Sequence, residues 1–465
     1  MKIDFKEVLI FFNNGQVDKA EKLSLKILKK EPNNLEILHL LGLIFYKKKN
    51  YLKSIQIFNK IIKLNQNDAQ VFYNRGNVLF ELKNFDKAIE SYNKAIIIKP
   101  DYKKAHNNRG NILKELNRFN EALKSYQIAL KIEPNNPDLY NNCGTIFLEL
   151  KKFDKAIENY KHAIKINTNC FEAYFNLGNT FNEIGKVDEA IKSYKQALKI
   201  NPKYANAYNN LGVVFKGQKK IEEAIICFRK AIEINPNFDF LFGTLIQSKC
   251  IICDWEFYFQ DLDKLKNKIL DNNRAAPPFS ILSFFDSPKI QKKTSITWVE
   301  QKFSKKNILK PIKKRQRNKK IRIGYYSADF REHAMSYLLV NLFELHDKSQ
   351  FELIAFSFGP KANGEIFTRI LKAFDQFIDV NFKTDKEIAQ LSRNLKIDIA
   401  VDLMGFTEKN RFNIFVERCA PIQINYLGYP GTLGSNCIDY IIADKVLIPE
   451  QNQKYYSEKI VYLPN

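Results

Sequence analysis

The sequence predicts an α-helical solenoid followed by an α/β domain built on a parallel sheet. Two observations lead to this expectation. A glycine recurs every 34 residues through the first half of the chain, and short apolar segments alternate with helical segments in the last third. A period of this length is typical of stacked helical hairpins. Alternating strands and helices favour a parallel sheet with helices on both faces.

The repeat has three regular positions. A small residue follows each glycine by twelve positions, and an aromatic residue follows the small one by four. The residues are Gly42, Gly76, Gly110, Gly144, Gly178 and Gly212, then Ser54, Ala88, Ala122, Ala156, Ala190 and Ala224, then Phe58, Tyr92, Tyr126, Tyr160, Tyr194 and Phe228. Small residues let the two helices of a hairpin approach closely, and the aromatic ring fills the groove beside them. This is the tetratricopeptide pattern, and it predicts about seven repeats over residues 1–238, the first one degraded.

One further repeat position carries asparagine, two residues before five of these glycines. The residues are Asn74, Asn108, Asn142, Asn176 and Asn210. Asparagine is a poor helix former, so packing alone offers no reason to repeat it. We predict a row of carboxamides along the inner, concave wall that binds the backbone of an extended polypeptide without reading its sequence. The alternative is that an asparagine-rich composition simply fills exposed positions.

Composition limits the other classes of partner. The formal net charge of +23 would suit nucleic acid or an anionic membrane. The lysines are spread over every repeat and no nucleic-acid-binding motif is present, so we expect no specific nucleic-acid partner. No apolar run is long enough to span a membrane, and no signal peptide precedes the first helix. Scattered cysteines fit a reducing cytoplasm; we expect Cys250 and Cys253, a lone pair unsuited to zinc, to pack in the helix that ends the array.

The repeat pattern ends near residue 238. Residues 239–318 are predicted to form a helical linker, and residues 319–465 an α/β lobe with six strands. The predicted strands are 321–326, 351–358, 377–380, 397–403, 422–426 and 440–443, with helices over 336–346, 365–374 and 385–395 between some of them. In sheets of this kind, ligands bind at the carboxyl ends of the strands.

Polar and glycine residues follow several of these strands. Asp329 and His333 follow the first strand, Gly405 the fourth and Gly428 the fifth. Glycine at a strand end lets a ligand approach backbone N–H groups closely, and an aspartate beside a histidine can share a proton or orient a hydroxyl. On spacing alone, a structural role for the pair, as a helix cap and a hydrogen-bonded ring, is equally open.

Four segments resemble the O-linked N-acetylglucosamine transferases and the related SPINDLY proteins, glycosyltransferase family 41. They are GYYSADFREH at 324–333, DLMGFT at 402–407, RCAPIQINYLGYPGTLG at 418–434 and DYIIAD at 439–444. The resemblance covers essentially the whole chain, and LGYPGT is its most specific part. Family members also carry the asparagine row, which favours the peptide-binding interpretation.

The resemblance implies an inverting, metal-independent enzyme of the two-lobed GT-B fold, with residues 319–465 as its first, Rossmann-like lobe. It would transfer N-acetylglucosamine, or fucose in the SPINDLY branch, from UDP-N-acetylglucosamine or GDP-fucose to Ser or Thr of a polypeptide, with no cofactor. His333 matches a histidine that lines the acceptor and donor-sugar site, and Asp329 an aspartate close to it. Leu427 and Gly428 match backbone positions near the donor sugar. Some family solenoids dimerise through their convex faces, so a homodimer is a candidate state.

Two departures from the family pattern bear on activity. The family's second histidine in the first loop falls at Tyr337, and a further histidine proposed as catalytic in animal members has no counterpart. Family members also continue into a second lobe that binds the uridine and pyrophosphate, whereas this sequence ends at Asn465. We therefore expect the chain to lack the C-terminal lobe and to be incomplete for catalysis. The alternative is a non-catalytic tetratricopeptide scaffold with a vestigial transferase lobe.

Overall fold

The computed structural model describes residues 5–303, 309–313, 316 and 318–464. It contains a helical solenoid followed by a parallel sheet, as predicted. The chain divides into two compact units, Met1–Asn176 and Leu177–Asn465, and the boundary falls inside the helix Phe171–Glu183. None of the helices among the described residues has the length and apolar character needed to cross a bilayer.

The first unit consists of paired helices. They are α1 Phe5–Asn13, α2 Val17–Lys30, α3 Leu35–Lys47, α4 Tyr51–Leu64, α5 Ala69–Glu81, α6 Phe85–Ile98, α7 Lys103–Glu115, α8 Phe119–Ile132, α9 Pro137–Glu149 and α10 Phe153–Ile166, with α11 Phe171–Glu183 at the boundary. The second unit continues with α12 Val187–Ile200, α13 Ala205–Gly217, α14 Ile221–Ile234, α15 Leu241–Ile251, α16 Tyr258–Leu270, α17 Pro278–Phe284 and α18 Pro288–Lys302.

Each repeat glycine lies directly under the aromatic ring of its own hairpin. A Cβ added at Gly110 would lie 2.5 Å from Cε1 of Tyr126, and one added at Gly76 would lie at the same distance from Cε1 of Tyr92. Both tyrosines are almost completely buried. Because no side chain tolerates such a contact, the glycine is required by the close approach of the two helices. The predicted role of the glycine–aromatic pair is therefore confirmed.

The segment after the repeats is helical, but its helices begin and end at other residues than expected. Helix α15 ends at Ile251, and Cys253 lies beyond it, exposed and with a φ of 57°. The next helix begins at Tyr258, so Cys253 lies between two helices. The expectation that Cys250 and Cys253 both pack in the last array helix is thus correct for Cys250 and wrong for Cys253.

The sheet has seven parallel strands in the order β3-β2-β1-β4-β5-β6-β7. The strands are β1 Ile321–Ser327, β2 Phe351–Ser357, β3 Gln376–Asp379, β4 Ile399–Asp402, β5 Ile422–Tyr426, β6 Tyr440–Ala443 and β7 Lys459–Tyr462. The helices are α19 Ala334–Leu345, α20 Glu365–Ala373, α21 Asp385–Asn394 and α22 Asn413–Val416, with a 3-10 helix at Glu450–Tyr455. Six strands were predicted; β7 was missed because it is short and half exposed along the sheet edge.

Apolar side chains cover both faces of the sheet, as the strand–helix alternation predicts. Tyr325 packs with Phe343 of α19 on one face. Its neighbour Tyr326 stacks on Phe356 of β2 on the other face, with ring centroids 4.5 Å apart. The strand order reverses between β1 and β4, and this switch point is where open α/β sheets bind ligands.

Candidate functional site

Three turns meet at the carboxyl edge of the sheet, around the switch point. Tyr326 of β1 pairs with Asp402 of β4, and Asp402 pairs with Asn425 of β5. The turns that follow these strands, at 328–333, 403–407 and 427–431, therefore begin side by side. This register brings the predicted residues Asp329, His333, Leu427 and Gly428 to one edge of the sheet.

Asp329 and His333 lie close together, but they do not form a hydrogen bond. His333 Nδ1 is 3.8 Å from Asp329 Oδ2, beyond the range of a hydrogen bond. The other carboxylate oxygen, Oδ1, accepts from Arg331, whose Nη2 lies 3.0 Å away. The Asp329 side chain is 13% exposed and that of His333 is 38% exposed. A partly exposed histidine thus lies beside a carboxylate that already forms an ion pair with Arg331.

The backbone around His333 determines which ring nitrogen carries the proton. His333 is the N-cap of α19, and its Nδ1 accepts the backbone N–H of Met335 at 3.3 Å. A nitrogen that accepts a hydrogen bond holds no proton, so the neutral ring is protonated on Nε2. In this form the ring offers a ligand a donor, Nε2–H, rather than a base.

Leu427 occupies a strained backbone conformation. Gly428 N donates to Tyr426 O at 2.9 Å, which closes a three-residue turn around Leu427. The φ of Leu427 is 68°, which makes this the rarer and strained form of the γ-turn. The side chain is also 42% exposed. Strain of this kind costs about 1–3 kcal/mol and is concentrated at functional sites.

Gly428 is required by a contact between turns. A Cβ at Gly428 would lie 1.9 Å from the carbonyl oxygen of Leu403, and one at Gly405 would lie 2.3 Å from Cβ of Tyr429. The turns after β4 and β5 therefore pack backbone against backbone. These glycines were predicted to let a ligand approach the backbone. The close contact between the two turns is by itself a sufficient reason for glycine at both positions.

Tyr337, which occupies the position of the family's second histidine, joins the site from the first turn of α19. Its side chain is 58% exposed, and its hydroxyl donates to the carboxylate of Glu332. Glu332 also accepts the backbone N–H of Ile366 at 3.1 Å, so it ties the turn after β1 to the start of α20. Glu332 was not among the predicted residues, since a lone glutamate in a turn carries no distinguishing pattern.

A buried carboxyl, Asp402, was also missed, although the DLMGFT segment contains it. Asp402 is 2% exposed, and its Oδ1 accepts the N–H groups of Met404 at 2.9 Å and Gly405 at 3.2 Å. Burial raises the pKa of Asp402 to about 6, against the opposing effect of these two N–H groups. A carboxylate that ends an otherwise apolar strand was the signal that could have identified it.

A second buried carboxyl holds the turn after β5. Glu458 accepts the hydroxyl of Thr432 and the N–H of Leu433, both at 2.7 Å. Burial raises the pKa of Glu458 above its usual value. This contact links the start of β7, the strand that was missed, to the PGTLG part of the motif.

The asparagine row takes part in a hydrogen-bond network between repeats. Asn108 Nδ2 donates to Asn77 Oδ1 at 3.0 Å and to the hydroxyl of Tyr73 at 3.2 Å. The hydroxyl of Tyr92 donates to the same Asn77 Oδ1 at 2.7 Å. One amide oxygen therefore joins both helices of a hairpin to the next hairpin. The expectation that packing offers no reason to repeat asparagine is wrong.

The other members of the row vary this scheme. Asn210 donates to Asn179 Oδ1 at 2.8 Å and Asn176 donates to Asn141 Oδ1 at 3.0 Å. Asn142 Oδ1 accepts from Lys114 Nζ at 3.4 Å. Asn74 is 6% exposed and its Nδ2 lies 2.8 Å from His39 Nε2. Asn74 is therefore the most enclosed of the five, while the other four are only partly buried.

Metal-ligating side chains do not cluster in the part of the chain that the structure describes. No group of three or more His, Cys, Asp and Glu side chains comes close enough there to hold an ion.

Comparison with known proteins gives matches to both halves of the chain. Residues 252–465 match glycosyl transferase family 41. Tetratricopeptide repeats match at residues 35–68, 69–102, 110–151, 144–185, 178–219 and 205–238.

Two relatives from Arabidopsis thaliana share part of the sequence. The probable UDP-N-acetylglucosamine–peptide N-acetylglucosaminyltransferase SEC is 37% identical over 155 residues, which cover 33% of this chain and 16% of the relative. The corresponding SPINDLY protein is 33% identical over 148 residues, which cover 31% of this chain and 16% of the relative. The matched part of the chain thus spans about a sixth of the length of these relatives.

A solved structure, an O-GlcNAc transferase mutant from Thermobaculum terrenum, matches with a TM-score of 0.45 and 22% identity, covering 70% of this chain and 57% of that one. Tetratricopeptide matches precede the matched transferase region, and that region contains the sheet and its three turns. The chain therefore combines an array of tetratricopeptide repeats with a region that matches glycosyl transferase family 41.

Proposed function

We propose that this chain takes part in transferring a sugar from a nucleotide sugar to Ser or Thr hydroxyls of polypeptides that its repeats bind. The donor would be UDP-N-acetylglucosamine or, as in the SPINDLY branch, GDP-fucose. The observation that carries the proposal is the match of residues 252–465 to a glycosyl transferase family, with its motifs at the switch point of the sheet. The cytoplasm stays the expected compartment, since scattered cysteines fit a reducing environment.

The tetratricopeptide repeats indicate a role in protein interaction. For the polypeptide, we propose the row Asn108, Asn142, Asn176 and Asn210, with Asn74 as a closed end member. A carboxamide has two donor hydrogens and two acceptor lone pairs, so a bond to the neighbouring repeat does not exhaust it. The network between repeats would also hold each amide in one orientation, and such preorganisation favours binding of an extended backbone.

In the transfer, we propose that His333 contacts the reacting groups. Asp329 and Arg331 would hold His333 in position. Inversion requires the acceptor oxygen to bond to the anomeric carbon while the nucleotide diphosphate leaves from the opposite side, and the hydroxyl proton then passes to a phosphate oxygen of the donor or to water. His333 would donate from Nε2–H to the sugar or a phosphate oxygen, because the Met335 N–H already occupies its Nδ1. To act as a general base instead, the ring would have to release that cap and turn an Nδ1–H towards Asp329.

Leu427 and Gly428 would form the floor under the donor sugar. The positive φ of Leu427 turns the chain sharply at the strand end, and the exposed leucine side chain would meet the apolar face of the sugar. Gly428 allows the turn to rest on the carbonyl of Leu403. In this proposal the two residues determine the distance between the donor sugar and the ring of His333.

The test is a transfer assay of the full-length protein with each labelled donor and a Ser/Thr peptide. The central variant is His333→Asn, since asparagine keeps the helix cap and removes the imidazole. We expect transfer to fall about 10²- to 10⁴-fold with unchanged thermal stability. His346→Gln, at the other end of α19, is the matched control and should transfer normally.

Three other results would change the proposal. Undiminished transfer by His333→Asn would remove His333 from the site. Transfer from neither donor, together with retention of the peptide by the chain, would favour the non-catalytic scaffold. A large loss in Asp329→Asn would show that His333 works as a base oriented by Asp329 rather than as a donor.

A further inference from the structure

Two buried side chains at the carboxyl edge of the sheet each leave one oxygen without a hydrogen-bond partner among the described residues. They are Asp402, at the end of β4, and Asn425, in β5. Asp402 is 2% exposed and Asn425 is completely buried. The unpartnered atoms are Asp402 Oδ2 and Asn425 Oδ1. Buried polar atoms are nearly always paired, so two such atoms in one place need an explanation.

The two residues are direct neighbours. Asp402 and Asn425 pair in register on adjacent parallel strands, so their side chains lie on the same face of the sheet. On β4 the alternate residues Val401 and Leu403 belong to the core on the opposite face. Both unpartnered atoms are acceptors when Asp402 is ionised, and two acceptors cannot satisfy each other.

The remaining polar atoms of the pair hold the turns that carry the family motifs. Asp402 Oδ1 accepts the N–H groups of Met404 and Gly405 in the turn after β4. Asn425 Nδ2 donates to the carbonyl oxygen of Tyr429 at 3.0 Å, in the turn after β5. One side chain therefore fixes each turn, and these are the turns that touch through Gly428.

We propose that Asp402 is protonated at neutral pH and donates from Oδ2 to Asn425 Oδ1, which locks the two turns together. A single proton then gives both unpartnered atoms a hydrogen-bond partner. Asp402 and Asn425 are positioning residues, since they act through the turns. Only their effect on the donor sugar rests on the proposed function; the proton and the coupling of the turns do not.

The groups around Asp402 are compatible with a protonated acid. Tyr326, which pairs with Asp402 on β1, donates its hydroxyl hydrogen to Ser392 Oγ at 2.6 Å and so does not donate to Asp402. The Cys437 thiol lies near Asp402, and burial raises the pKa of this thiol to about 12, so it is uncharged at neutral pH. Arg418 and Glu458 act on that thiol with opposite signs.

Burial favours the protonated form of Asp402, because it raises the pKa of the carboxyl to about 6. A hydrogen bond that only the protonated acid makes raises the pKa further. Glu458 is a second buried carboxyl with a raised pKa, so a test must distinguish the two. Glu458 differs in that both of its oxygens accept hydrogen bonds.

Infrared difference spectra at pH 7 test the proton directly. The wild-type chain should show the C=O band of a protonated carboxylic acid, Asp402→Asn should lack it, and the matched control Glu458→Gln should keep it. In Asn425→Ala the band should disappear at lower pH than in the wild type, because the acceptor is gone. Absence of the band, or its loss in Glu458→Gln instead of Asp402→Asn, overturns the proposal.

Hydrogen exchange tests the coupling of the turns. Once corrected for intrinsic rates, protection of residues 403–407 and 427–431 should fall together, about tenfold, as the wild-type acid titrates. Asp402→Asn replaces the acid proton by an amide donor, so its protection should not depend on pH. Loss in only one turn, or the same pH dependence in Asp402→Asn, contradicts the coupling. Neither measurement uses a sugar donor, so a failure of the proposed transfer would leave both results standing.

Discussion

The repeats and the α/β lobe use buried polar side chains in opposite ways. In the repeats, Asn77 Oδ1 accepts from both Tyr92 and Asn108, and Asn179 repeats the scheme in the second unit. In the lobe, Asp402 and Asn425 occur once and each keeps an unpartnered oxygen. The repeats thus spread stability over many equivalent local bonds. The lobe concentrates buried polar groups and backbone strain at a few positions, as functional sites do.

The largest effect should come from Gly428→Ala in the lobe. The new Cβ would lie 1.9 Å from the carbonyl oxygen of Leu403. The contact is with backbone, so it can be relieved only if one of the two turns moves. We expect the free energy of unfolding of the second unit to fall by about 3 kcal/mol, the upper end for overpacking. Urea denaturation followed by circular dichroism measures it. A loss below about 1 kcal/mol would mean that the two turns separate at little cost.

The pH dependence of stability should be the next largest effect. The pKa of Asp402 rises from 3.8 unfolded to about 6 folded, which corresponds to about 3 kcal/mol. A raised folded pKa stabilises the protein fully below the unfolded pKa, and this contribution is lost as the pH rises through the folded pKa, which is about 6 from burial and higher with the hydrogen bond to Asn425. The difference in unfolding free energy between the wild type and Asp402→Asn should follow this curve. A difference independent of pH between 4 and 8 would contradict it.

Overpacking in a repeat should cost less than overpacking in the lobe. Gly110→Ala places its Cβ 2.5 Å from the buried ring of Tyr126, so a side chain rather than backbone has to move. We expect a loss of about 1–3 kcal/mol in urea denaturation. Gly217→Ala is the matched control, since no atom lies within 4 Å of its new Cβ. That variant should be unchanged or slightly more stable, as alanine favours helix. Equal losses in both variants would refute the packing role of the glycine.

The smallest effect should come from the tyrosine hydroxyls of the repeats. The Tyr92 hydroxyl donates to Asn77 at 2.7 Å, whereas that of Tyr160 lies 3.5 Å from the Thr145 hydroxyl. Tyr92→Phe should lower the unfolding free energy by about 1 kcal/mol and Tyr160→Phe by less. The repeats with Phe58 or Phe228 already lack this hydroxyl. If Tyr160→Phe lowered the unfolding free energy more than Tyr92→Phe does, the hydrogen bond to asparagine would not explain the stabilisation by these hydroxyls.

Much of the fold could be predicted because it follows from local and periodic patterns. The glycine–aromatic spacing identified the hairpins, and the apolar segments identified six of the seven strands. The strand β7 was missed since only four residues alternate between exposed and partly buried positions. In the site, motifs singled out Asp329, His333, Leu427 and Gly428, but not the reasons for them. Neither the cap on His333 Nδ1 nor the contact of Gly428 with Leu403 can be read from spacing.

The period of the repeats, the alternation of strands and helices, and the strand ends at which motif residues lie all follow from the amino-acid sequence. These features depend on hydrophobic periodicity and on glycine, which act over short stretches of chain. The hydrogen bonds of the asparagines between repeats, and the position of Asp402 beside Asn425, are visible only in the folded chain. Those pairings join residues of neighbouring helices and strands whose register depends on the packing of whole elements. Burial at that edge, rather than residue type, raises the pKa of Asp402 and Glu458.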